Sequence, residues 1–127
     1  MAHGTAHIGE TAWRTEIMVG GHAITADEPE ALGGQGEGPA PYDLLLASLG
    51  ACTAITLKMY AARKAWPLVS VDVDLRLKGS KEEMRIERKL SIAGLDGEQK
   101  ARLADIAERT PVTLTLKAGL GIETELV

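Results

Sequence analysis

The chain contains a single cysteine, Cys52, and a lone thiol does chemistry as its thiolate, a nucleophile toward disulfides, peroxides and other electrophiles. A free thiol, with a pKa near 8.5, is only about 3% ionised at pH 7, whereas one drawn toward 6 by a neighbouring cation is about 90% ionised. Cys52 follows Pro41 by about ten residues in one apolar segment. If that segment is a helix, its own positive end, felt within the first turn, cannot reach the sulfur. Activation must come from a cation elsewhere, and Arg14 and Arg88 are the candidates. Other readings stand beside this one: a cysteine among Ala51, Ala54 and Ile55 also serves as a small buried hydrophobe, and strand arginines also reach out to water. Ser48, Cys52 and Thr56 recur every four residues, a weakly polar seam that either lines a pocket or bonds back to helix carbonyls.

Other chemistries fall away. One cysteine excludes an internal disulfide framework and any all-cysteine metal site. His3 and His7 stand four apart, but Gly4 lies between them and only His22 remains, so a solvated tail is expected rather than a metal site. The stretch Asp27–Pro41 holds four glycines and three prolines but lacks the Gly-Lys-Ser/Thr ending of a phosphate cradle. Glu28, Glu30 and Glu37 would repel a nucleotide there. No cofactor is expected. Lys plus Arg number 14 against 18 Asp plus Glu, a net charge of -4, which speaks against nucleic acid and anionic membrane surfaces. The uncharged run Leu44–Leu57 is 14 residues, short of the ~20 that span a bilayer. Residues 1–10 carry no signal-peptide pattern, so a cytoplasmic location is expected.

The 127 residues suit one domain, and the positioning elements can be read along it. Residues 1–10 form a polar, mobile tail. Thr11–Val19 and His22–Ala26 read as strands of a hairpin around Gly20-Gly21. Residues 27–41, rich in glycine and proline, must be a long loop. Pro41 to about Ala65 reads as one helix of roughly 23 residues, apolar around most of its circumference. Such a helix needs cover on every side, and Ala47, Ala51, Ala54 and Lys58 form a stripe along which a second copy of the chain could approach. Val69–Lys78 alternates without error. In the following strand Met84, Ile86, Leu90 and Ile92 share a parity with Arg88, which turns one guanidinium toward a buried face. Asp96 and Gln99 resemble a capping box for a helix to Arg109, in which Glu98–Arg102 and Asp105–Arg109 can pair. Val112–Leu116 and Leu120–Leu126 alternate again and read as closing strands. The order is that of an antiparallel α+β fold.

The run Gly38-Pro39-Ala40-Pro41-Tyr42-Asp43-Leu44-Leu45-Leu46, continuing through Leu49-Gly50-Ala51-Cys52-Thr53 to Met59-Tyr60-Ala61 and Lys64-Ala65-Trp66-Pro67-Leu68, resembles the OsmC/Ohr superfamily. Asp27-Glu28-Pro29, Leu95-Asp96 and Pro111-Val112 extend the likeness over about Trp13 to Val127. The resemblance implies a single OsmC-like domain of α+β fold, with antiparallel sheets around a long central helix. It also implies an intertwined homodimer with active sites at the subunit interface. Members of the superfamily reduce organic hydroperoxides with a helix cysteine, an arginine that holds its thiolate and a second, resolving cysteine. The attacking cysteine carries over to Cys52 and the N-terminal arginine to Arg14. The resolving cysteine falls on Thr110, which cannot form a disulfide, so an external thiol must reduce Cys52. The family carboxylate falls on Tyr42, leaving Asp43, one residue on, as substitute. The leading expectation is therefore a thiol-dependent organic hydroperoxide reductase, or a related redox protein of the stress response. The alternatives are a non-catalytic module holding a small apolar ligand at the dimer interface and a scaffold without chemistry.

Overall fold

The structure is a computed structural model and describes residues 1–127. Residues 1–45 and 46–127 form two compact units.

The first unit is a three-stranded antiparallel meander, β1 (Gly4–Ile8), β2 (Thr15–Val19) and β3 (His22–Ala26), in that spatial order. Gly20 and Gly21 turn the chain between β2 and β3 with φ of +57° and +80°, the left-handed pair that a tight hairpin requires. Residues 4–8, expected in a mobile tail, instead pair with β2 from Gly4↔Val19 to Ile8↔Thr15. Their exposed pattern hid them from the sequence, because this strand is held by backbone pairing at a sheet edge rather than by an apolar face. Residues 11–14 lie outside the strand expected there, and β2 begins at Thr15. After β3 the loop closes on itself: Asp27 N–H donates to Pro39 O at 3.1 Å, and a short 3-10 turn covers Glu30–Leu32.

Helix α1 (Pro41–Arg63) begins with Pro at its first position, where no N–H partner is lost. In the second unit it is followed by a long hairpin, β4 (Ser70–Ser80) and β5 (Glu83–Ala93), then α2 (Gly97–Ala107) and α3 (Pro111–Ala118). Registers Val71↔Ile92, Val73↔Leu90, Leu75↔Arg88 and Leu77↔Ile86 put the apolar residues of both strands on one face, with Arg88 among them. The buried line of α1, Leu49, Thr53, Leu57 and Ala61, recurs every four residues. Gly50 lies beside it, and a Cβ there would stand 2.8 Å from Leu75 Cδ1, so the Leu75 side chain would have to shift to admit one. Leu57, Ala61, Leu68, Leu103 and Ala107 form the core with Val71, Leu90 and Ile92 against them. Full burial of Leu57 and Leu103 contributes about 1.5–3 kcal/mol each. By length and composition α1 could cross a membrane, with mean hydropathy 1.5, although its uncharged run falls short. Its Leu57 and Ala61 are instead sealed in this core.

Asp96 caps α2 with both halves of the expected box: its carboxylate accepts from Gln99 N–H at 2.8 Å and its N–H donates to Gln99 Oε1 at 3.1 Å. The helix stops at Ala107, not Arg109. Arg109 pairs with Asp105 as expected, whereas Arg102 pairs with Asp105 rather than Glu98. The larger correction is at Val112–Leu116, which is not a strand but the body of α3. Pro111 presets a helical φ at the first position. The residue that ties this segment inward is Thr113, 5% exposed, while Leu114 is 50% exposed, so the alternation of leucines had no buried face to report. Residues 119–127, expected as a closing strand, form no regular element.

Candidate active site at Cys52

Cys52 sits midway along α1, half-buried, one position before the fully buried Thr53. Its sulfur accepts a hydrogen bond from the Val112 N–H at 3.4 Å. Val112 is the second residue of α3, and its N–H is one of those the first helical turn leaves unpaired. The positive end of the α3 macrodipole therefore faces the sulfur, a place that favours negative charge. Thr56 Oγ1 lies 4.0 Å away on the same side of α1, so two members of the Ser48–Cys52–Thr56 seam meet, whereas Ser48 is exposed. The cation sought from the sequence is not what touches the thiol. A backbone amide does, delivered by a helix that the sequence read as a strand.

Arg88 stands on the apolar face as its parity required, its side chain 12% exposed. Its Nη1 donates to Thr53 Oγ1 at 3.0 Å and to Thr113 Oγ1 at 2.9 Å, and its Nη2 donates to Ala107 O at 2.8 Å. Glu108 Oε2 is 3.8 Å from Nη2 and bonds Lys117 at 2.9 Å. Lys117, then its charge, then Arg88 hold the Glu108 carboxyl below its usual range. Thr110 occupies the resolving-cysteine position and is fully buried, with its hydroxyl 2.6 Å from Thr113 Oγ1. Thr113 also donates to Ala107 O at 3.3 Å, and Thr53 donates to Leu49 O at 2.7 Å. The hydroxyls of Thr53 and Thr113 thus each have a donor and an acceptor, and no buried side-chain N or O is left without a partner. Thr53 and Thr113 carry this network, yet the sequence reading passed over them. The only signal was that a buried Arg88 must find acceptors.

In the first unit Arg14 bonds Glu16 at 2.7 Å and Glu37 at 3.2 Å, with half its side chain in solvent. The hydrogen bond and charge of Glu16, then Glu37, stabilise its protonated form further. Asp43 does not bond Arg14: its Oδ2 accepts from Ala40 N–H at 3.0 Å, which caps the start of α1. Asp27 entered the sequence analysis only as part of the family likeness, with no role, yet the residue is 3% exposed. It accepts from the N–H groups of Glu28 at 2.8 Å, Gln35 at 3.2 Å and Glu37 at 3.2 Å. Burial opposes its ionisation, but these donors outweigh it and hold the carboxyl below its ordinary range. Asp27 thereby fixes the backbone that presents Glu37 to Arg14.

Far along α1, Tyr60 and Trp66 meet edge to face at 5.6 Å beside a shallow concavity of about 610 Å³ that Lys64, Asp96, Glu98 and Arg102 also line. Its lining is aromatic and charged.

The family model for OsmC-like protein matches residues 34–125. Among curated proteins no sequence matches. Among solved structures, the OsmC like protein from Mycoplasma pneumoniae superposes with a TM-score of 0.74 at 18% identity, covering 92% of this chain and 87% of its own. An organic hydroperoxide resistance protein OsmC from Legionella pneumophila gives 0.67 at 22%, covering 92% and 89%. The organic hydroperoxide resistance protein OhrB of Bacillus subtilis gives 0.62 at 22%, covering 91% and 90%. At these identities the likeness establishes the α+β fold expected from the sequence.

Proposed function

We propose that this chain, which belongs to the OsmC-like protein family, is a thiol-dependent reductant of small organic hydroperoxides acting in the stress response. The observation that carries this reading is the Val112 N–H on Cys52 Sγ at 3.4 Å, which gives a half-buried thiol a fixed donor able to stabilise negative charge. The likeness to the Legionella and Bacillus organic hydroperoxide resistance proteins supports the substrate class.

In this proposal the Cys52 thiolate attacks the distal oxygen of ROOH. The S–O bond forms as the O–O bond breaks, the alkoxide takes a proton and leaves as ROH, and sulfur is oxidised by two electrons to the sulfenic acid. Arg14 is the residue the resemblance assigns to the thiolate. Thr110 offers no sulfur, so an external thiol R′SH condenses with the sulfenic acid, releasing water and forming a mixed disulfide. A second R′SH frees Cys52 and leaves as R′SSR′. We place this chemistry in a cytoplasmic homodimer. The exposed Ile55 and Met59 of α1 support a second copy as its cover.

The test is consumption of cumene hydroperoxide with dithiothreitol as reductant. Wild type turns over and Cys52→Ser does not; equal rates in the two would overturn the proposal.

A further inference from the structure

Arg88 makes three hydrogen bonds, none of them to the sulfur. One guanidinium nitrogen bridges Thr53 of α1 and Thr113 of α3, at 3.0 and 2.9 Å, and the other holds Ala107 O at 2.8 Å, with Glu108 at 3.8 Å. The two bridged threonines are the chain neighbours of the two groups that meet at the site: Thr53 follows Cys52, and Thr113 follows Val112. The Val112 N–H reaches Cys52 Sγ only while the first turn of α3 keeps its height and rotation against α1. Pro111 precedes Val112 and has no N–H of its own. The Thr110 side chain does not cap the helix but turns inward to Thr113. The start of α3 is thus fixed by side-chain hydroxyls gathered on Arg88, and a planar fork with parallel donors suits that task where a single ammonium does not.

We propose that Arg88 is a positioning residue for the Cys52 thiol, acting through Thr53 and Thr113 to aim the Val112 N–H at a sulfur the guanidinium does not bond. The step from a reactive thiol to hydroperoxide chemistry rests on the function proposed above; the positioning of the thiol does not.

The test uses full-length protein and two readouts, alkylation of Cys52 by iodoacetamide at pH 7 and hydroperoxide consumption, with circular dichroism to establish folding. In Arg88→Lys and in Thr113→Val alkylation slows about tenfold, the scale on which a helix terminus acts on a partly buried charge. In Thr113→Ser, which keeps the hydroxyl, alkylation stays within about twofold of wild type. Arg76→Met, which removes an exposed partner of Asp74, serves as the control and changes neither readout. Guanidinium ion at low concentration restores alkylation in Arg88→Ala, which loss of fold alone would not allow. If Arg88→Lys does not fold, Thr113→Val against Thr113→Ser decides. Folded Arg88→Lys and Thr113→Val alkylated at the wild-type rate, or Thr113→Ser as slow as Thr113→Val, would overturn the inference. Arg88-dependent alkylation in a protein that leaves hydroperoxide untouched would uphold the positioning role and overturn the proposed function alone.

Discussion

Two arginines of this chain are held in opposite ways. Arg14 lies half in solvent between two carboxylates, Glu16 at 2.7 Å and Glu37 at 3.2 Å. Arg88 lies 12% exposed with no carboxylate closer than 3.8 Å, held by two threonine hydroxyls and a helix-end carbonyl. In water, charge is stabilised by solvent as well as by its partner, and the pair adds little. Away from water the charge must be hydrogen-bonded, and neutral acceptors serve when they are aimed at its N–H groups. The difference teaches where stability and order reside. Arg88 ties together α1, α2 and α3, while Arg14 is tied to the Asp27 carboxylate only through Glu37, whose N–H Asp27 accepts.

Exchange of each arginine for methionine breaks or sharpens this contrast. Arg88→Met removes three charge-assisted hydrogen bonds and destabilises the protein by about 3 kcal/mol, read from the urea midpoint. A loss equal to that of Arg14→Met would erase the distinction. The next largest effect falls on Asp27→Asn, in which the new amide confronts N–H donors that the carboxylate accepted. Its melting temperature drops by several degrees, and limited proteolysis cuts faster between Asp27 and Pro39.

The pH dependence follows from the same carboxylate. The folded pKa of Asp27 lies below its unfolded value, so its contribution is present above the unfolded value, near 3.9, and is lost as pH falls through the folded one. Asp105, bonded to Arg109, and Glu16, bonded to Arg14, shift the same way. Wild-type stability therefore declines from about pH 5 downward, more steeply than that of Asp27→Asn. Parallel curves would contradict the carboxylate's role. The smallest effect is that of Arg14→Met, whose urea midpoint stays close to wild type.

Much of this was legible in the amino-acid sequence where one physical signal ruled. The errorless alternation of Val69–Lys78, the Gly20-Gly21 turn, Pro41 at a helix start and the Asp96–Gln99 box each state a local rule that the packing obeys. Arg88 was legible as a buried charge because parity in a strand is unambiguous. What it bonds was not, since Thr53, Ala107 and Thr113 come from three helices distant in sequence. The segment after Pro111 misled for a related reason. Its leucines alternate, but the residue that anchors it is a threonine whose partner is Arg88, and tertiary hydrogen bonds outweighed the pattern. β1 escaped because edge pairing needs no apolar face. Asp43 showed the right residue type near the family position, yet a helix start nearby drew it into capping.

The central claim is that Cys52 is a peroxide-reactive thiol. One equivalent of cumene hydroperoxide added to reduced protein, followed by intact-mass and peptide analysis, tests it most directly. The account predicts one added oxygen on Cys52, converted to a mixed disulfide when a small thiol is supplied. An unchanged mass, with Cys52 still free and the protein folded, would contradict it.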